Sequence, residues 1–178
     1  MEDPANGSTS VGSFVFVPGY HDGQEPYGEW TPVKVLLDPH WETDSNPDYD
    51  YAFAVLKETG HPGARLSALV GSEAVDFNAQ LPAVVSGIGY PGGADRPIAC
   101  LNTLKVFQPT QSEFDCAGFT DGSSGGPMLR NVSATTGRGS LVGVIGGYQE
   151  GGFTADVSYT SYLGDAAKGL YQQAIAVP

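Results

Sequence analysis

The stretch Gly122-Ser123-Ser124-Gly125-Gly126-Pro127 places a serine between Gly-x and Gly-Gly-Pro, the pattern of a nucleophile held on a tight turn. Glycine has no Cβ, so the backbone can curl and leave the Ser124 hydroxyl and nearby N–H groups facing one small volume, where a carbonyl oxygen could sit. The chemistry this suits is acyl transfer: Ser124 Oγ attacks a carbonyl carbon while backbone donors hold the charge that develops on its oxygen. The same string also suits a flexible Gly/Ser turn with no chemistry, so the flanks must decide. Upstream stands Asp115-Cys116-Ala117-Gly118 and downstream Met128-Leu129-Arg130. An apolar run of strand type, Ser140-Leu141-Val142-Gly143-Val144-Ile145-Gly146-Gly147, follows shortly after.

The elements that must position this turn are short. With 178 residues the chain is long enough for one domain, or for two small β-barrels sharing a core. Its 25 Gly and 13 Pro, without long helical periodicity, point to an all-β protein rich in turns. Strands are expected over residues 14–17, 33–37, 48–56, 66–70, 82–90 and 101–107, with a long aromatic loop over 20–30. A break at Gly60-His61-Pro62-Gly63 divides the chain into units 1–60 and 61–178. Over 161–176 the spacing of Tyr162, Ala166, Leu170 and Ala174 predicts one face of a C-terminal helix. Residues 1–10 read as a polar lead-in, and Asn6-Gly7-Ser8 matches a glycosylation sequon of the kind that arises by chance.

Charge narrows the function classes. A formal charge of −12, from 8 Lys and Arg against 20 Asp and Glu, disfavours nucleic acid and anionic membranes as partners and fits a soluble, exported protein. No apolar run approaches the roughly 18 residues of a membrane span, and no signal peptide precedes the first strand. Cys100 and Cys116 enclose what reads as a strand and a return loop. By residue type alone they are either a bridge or two buried thiols, depending on compartment. Neither has a further Cys or a His nearby to build a tetrahedral set, so no metal and no cofactor is expected.

Taken together with Asp48-Tyr49-Asp50-Tyr51-Ala52-Phe53-Ala54-Val55-Leu56, an aspartate opening an apolar strand, the serine turn resembles the trypsin-like (chymotrypsin-fold) serine peptidases. The strings FVPGY, PYGEW and DPHW, and the later GYP turn at Gly89-Tyr90-Pro91, are similar to the glutamyl-endopeptidase branch and its bacterial trypsin-like relatives. The resemblance spans essentially the whole chain. It implies two antiparallel β-barrels and a short C-terminal helix, with Asp50 and Ser124 as two of the three catalytic residues and a peptide or protein as substrate. It also implies an oxyanion hole from the N–H groups of Gly122 and Ser124, a Cys100–Cys116 disulfide, and a substrate pocket drawn from Gly118, Phe119, Thr120, Asp121, Ile145, Gly146, Gly147 and Tyr148. Secretion is a further implication.

Two departures matter. Ser123 stands where animal trypsins carry the aspartate that receives a new N-terminal ammonium, so activation by N-terminus insertion is not expected. The glutamate-specific branch places a histidine on the strand carrying Ile145, and none is here, so glutamate specificity is not expected either. The larger departure is the base. A serine hydroxyl is a poor nucleophile until a neighbour takes its proton, and the family's Thr-Ala-x-His-Cys type motif is absent from these residues. His21, His40 and His61 sit in polar loops without its flanks and read as solvated side chains. In subtilisin, losing the histidine alone costs about 10⁶ in turnover, as much as losing the whole triad. The resemblance therefore implies an incomplete first barrel, with the histidine on a segment upstream of Met1 and the chain by itself inactive. A pseudoenzyme that keeps a peptide-binding cleft is the alternative, and a Gly-rich structural or adhesion domain is a third reading.

Overall fold

A computed structural model describes residues 14–58, 63 and 65–178. The first unit is a two-stranded antiparallel sheet of β1 (Trp30–Leu37) and β2 (Ala52–Glu58), in a register that pairs Leu37 with Ala52 and Trp30 with Glu58. Two Asx-Pro pairs write the connection between them. Asp38 caps helix α1 (Pro39–Asp44) by accepting the His40 N–H, and Asn46 caps a 3₁₀ turn (Pro47–Tyr49) by accepting the Asp48 N–H. Each acid or amide oxygen satisfies an orphan N–H of a first turn, and each proline sits where its missing N–H costs nothing. The second turn ends on Asp50.

The second unit is a seven-stranded sheet. Its strands are β3 (Ala74–Val75), β4 (Ala83–Gly89), β5 (Ile98–Gln108), β6 (Gln111–Asp115), β7 (Pro127–Arg130), β8 (Ser140–Val144) and β9 (Val157–Ser161). They run in the order β3-β8-β7-β4-β5-β6-β9, antiparallel throughout except for the parallel β3–β8 pair. The sheet curls until β8 meets β9: the Val144 N–H donates to Thr160 Oγ1 at 3.0 Å and the Gly146 N–H to the Tyr159 carbonyl at 3.0 Å. Inside the curl pack Val85, Leu104, Phe114, Phe119, Met128, Val142 and Ile145. Phe114 fills the space that Gly87 leaves open, since a Cβ on Gly87 would lie 2.6 Å from its ring. The disulfide joins Cys100 on β5 to Cys116, just past β6, with Cα atoms 6.2 Å apart, inside the window a relaxed bridge needs.

Helix α3 (Asp165–Ile175) ties the units together. Its buried residues Ala167, Leu170 and Ala174 join Leu36, Tyr51 and Leu163 in a second core, with Phe53 and Val55 packed against it. Tyr171 stands 5.5 Å, ring to ring, from both Phe53 and Phe77.

The structure corrects several expectations. Residues 14–17 make no strand, only a single bridge between Phe16 and Trp30. Residues 66–70 form a one-turn helix, α2 (Leu66–Val70), because Leu-Ser-Ala-Leu is a good helical run and Gly71, at φ +81°, stops it. In α3 the inward face holds Leu170 and Ala174 as the spacing predicts, but Ala167 rather than Ala166, because at 3.6 residues per turn a position three before Leu170 shares its face as well as one four before. His40 lies in α1, not in a loop. The lead-in, the sequon, residues 60–62 of the break, and His61 lie outside the described residues.

Candidate active site

The serine turn is built from a cascade of tight backbone bonds. Thr120 N–H donates to Gly118 O, Ser123 N–H to Thr120 O and Gly126 N–H to Ser123 O, all within 3.1 Å. Such tight reversals need left-handed backbone, and Gly118, Gly122 and Gly125 supply it at φ +93°, +93° and +79°. The turn is fastened on both sides. Gly125 N–H reaches Ile145 O at 2.8 Å, Ile145 N–H reaches Gly126 O at 2.9 Å, and Gly92 N–H holds Asp121 O. A Cβ on Gly126 would run into the Ile88 carbonyl, so the second glycine of the Gly-Gly pair is required by close approach to β4 and the first by its left-handed φ.

This leaves an uneven pattern of amides. Ser123, Gly125 and Gly126 donate to carbonyls, whereas among the described residues the N–H groups of Gly122 and Ser124 donate to none. Ser124 is exposed, and Ser123, its neighbour, is 2% exposed. Ser124 thus offers an accessible hydroxyl, and the Gly122 and Ser124 N–H groups are left available to an incoming oxygen.

Ser124 lines a cleft of about 480 Å³. Of the pocket residues expected from the sequence, Phe119, Thr120, Asp121 and Ile145 line it, whereas Gly118, Gly146, Gly147 and Tyr148 do not. Gly146 and Gly147 instead back onto Asp50, and the Tyr148 ring packs between Phe107 and Tyr159, 5.0 Å from each. The far wall is residues 150–155, which sequence reasoning missed. It includes Phe153, an aromatic ring left 75% exposed at the rim. The wall is entered through strained backbone: Gln149, just before it, and Glu150, its first residue, both adopt left-handed φ, at +52° and +57°, and neither is a glycine. Strain of this kind gathers at functional sites. The run Gln149-Glu150-Gly151-Gly152-Phe153, a few residues past β8, was the available signal.

Asp50 is 6% exposed. One carboxylate oxygen, Oδ2, accepts the Gly147 N–H at 2.8 Å; among the described residues Oδ1 is buried without a hydrogen bond. Burial pushes the Asp50 carboxyl above its ordinary value, against the pull of the Gly147 bond, and the nearby Glu150 charge pushes it further up. Between Asp50 and Ser124 lies a short backbone junction: Asp50 grips Gly147, and Ile145, two residues back, brackets Gly125 and Gly126. Neither described histidine bonds to Asp50 or Ser124. His40 Nδ1 donates to Asp38 Oδ1 at 2.8 Å while its ring stacks on Tyr49, and His21 pairs with Asp22 at 3.3 Å on the surface.

A curled antiparallel sheet that presents a serine on a glycine turn, with a buried carboxylate behind the adjoining strand, defines the chymotrypsin-like class of β-proteins. No protein-family model matches the chain, and no curated protein sequence does. Solved structures do. Protease Anisep from Arthrobacter nicotinovorans is 30% identical, with a TM-score of 0.80 over 93% of this chain and 76% of its own. The thermostable serine protease AL20 from an extremophilic microorganism is 28% identical, with a TM-score of 0.79 over the same shares. A Glu endopeptidase, at 16% identity and a TM-score of 0.73, shares the fold over 93% of this chain and 73% of its own. The chain belongs to the trypsin-like serine proteases.

Proposed function

We propose that this chain carries the nucleophile, the oxyanion hole and the orienting carboxylate of a secreted endopeptidase, and that a histidine-bearing segment pairing with the β1–β2 sheet completes it. The observation that carries the reading is the pair of uncommitted amides, Gly122 and Ser124, beside an exposed Ser124 hydroxyl. In the completed site the imidazole takes the Ser124 proton as Oγ bonds to the scissile carbonyl carbon, and the two amides receive the oxyanion. Collapse passes that proton to the leaving amine and leaves an acyl ester on Ser124, which water then cleaves by the same steps. Asp50 Oδ1, buried and without a hydrogen bond among the described residues, is the acceptor left to orient the imidazole and balance its charge. The disulfide supports export to an oxidising compartment.

Without a base, the 178-residue chain should react with a fluorophosphonate probe at background rate. Adding the histidine segment, in cis or as a separate fragment, should restore labelling, and Ser124→Ala should abolish it. Strong labelling of the chain alone would defeat the proposal and return His40 or His21 to consideration. That neither described histidine bonds to Asp50 or Ser124 favours a second reading, a peptide-binding pseudoenzyme. A completed chain that binds peptide but never labels would select that reading.

A further inference from the structure

The geometry points to Gln111 as the positioning residue that holds Asp50 in register with the strand end behind Ser124. Gln111 opens β6 and is 1% exposed, so its amide must find every partner inside the protein. Nε2 donates to the Pro47 carbonyl at 2.8 Å and to Asp48 Oδ1 at 3.0 Å, and Oε1 accepts the Tyr148 N–H at 3.1 Å. Two oxygens on one side and an N–H on the other leave a single sensible orientation of the amide. Ser161, paired with Gln111 across β6 and β9, donates its hydroxyl to the same Pro47 carbonyl at 2.7 Å.

What Gln111 grips is the informative point. One end holds the turn that terminates in Asp50. The other holds the residue after Gly147, whose N–H bonds Asp50 Oδ2. The contacts close a ring: Asp50 to Gly147, along the chain to Tyr148, across to Gln111, down to Pro47, and back through the Asp50 N–H to Pro47 O at 3.4 Å. Glutamine carries a donor and an acceptor at this reach, whereas ionised glutamate would face Asp48 with no proton to donate. Gly147 is bound to the same arrangement. At φ +82°, a Cβ there would stand 2.5 Å from Gln111 Oε1.

The inference rests on Asp50 serving Ser124, yet its first test needs no catalysis. Gln111→Met keeps the length and removes all three bonds. In the 178-residue chain, amide exchange at Gly147 and Tyr148 should quicken about tenfold relative to amides of β4, an opening on the scale of a lost buried hydrogen bond. The Asp50 carboxyl, followed by NMR, should titrate higher as the Gly147 bond loosens. Glu150, whose charge also acts on Asp50, is replaced by Gln in both chains to isolate the effect, leaving Asp48 as the nearby acid common to both. Gln111→Glu keeps the acceptor for Tyr148 and loses the donor. It should release the 47–50 turn while sparing the Tyr148 amide, and it stands in if the Met variant fails to fold. Exchange that rises equally across β4 and at Gly147, with an unmoved Asp50 titration, would overturn the assignment. In the completed enzyme Gln111→Met should also slow probe labelling. If the unsubstituted completed enzyme does not label at all, the protease reading fails and the exchange data still decide the role of Gln111.

Discussion

The serine turn and the Asp50 site solve the same problem, holding one polar group still, by opposite means. The Ser124 turn takes its shape within residues 118–126, from bonds spanning two or three residues and from glycines whose φ values no other residue adopts cheaply, and bonds to Gly92 and Ile145 then fasten it in place. Asp50 is held by partners far along the chain: Gly147 is 97 residues away, and Gln111, which secures the turn before it, is 64 residues from Pro47. A local turn can form before the rest of the molecule does. A carboxylate buried among remote partners exists only once β6, β8 and β9 are in place, and it then carries a desolvation cost that the turn does not.

That contrast can be broken in stages, beginning with the largest effect. Gly122→Ala puts a Cβ 3.0 Å from the Tyr90 carbonyl at a left-handed φ of +93°, and so displaces one oxyanion donor. In the completed enzyme it should lower turnover by about 10²–10³, while the Gly147 amide and the Asp50 titration stay as they are. Movement of Asp50 would show that the two regions are not independent. Removing the bridge by Cys100→Ser should cost about 3 kcal/mol of stability in a denaturant melt, because it frees a loop with a sequence separation of 16. The loss should be global rather than confined to the serine turn that follows Cys116.

The smallest effect sharpens the other side. Burial raises the folded-state pKa of Asp50 above its unfolded value, so ionising it disfavours the fold. Asp50→Asn keeps an acceptor for Gly147 and removes the charge. Its melting temperature should match the parent below the ordinary carboxylate pKa, where Asp50 is protonated in both states, and should exceed the parent increasingly as pH rises through the raised value. A parent that is the more stable at neutral pH would mean that the single Gly147 bond outweighs desolvation.

The sequence by itself determined what short range controls. Gly-x-Ser-Gly-Gly-Pro specified the turn because each glycine is demanded by a backbone angle or a close approach at that residue, and the two Asx-Pro pairs specified the caps that deliver Asp50. The strands over 82–90 and 101–107 were readable as β-branched and apolar runs of strand length, and in β4 every second residue from Val85 to Gly89 is buried. Residues 66–70 were misread because five residues are too few for a period to separate strand from helix. Only the tertiary structure decided which way the pocket strand turns its residues. Ile145, Gly146, Gly147 and Tyr148 follow one another just past the end of β8, yet Ile145 lines the cleft, the two glycines face Asp50 and Tyr148 enters an aromatic stack. The cleft wall at 150–155 and the grip of Gln111 on both sides of Asp50 arise likewise from segments brought together by sheet curvature, which is a property of strand pairing and not of any one stretch of chain.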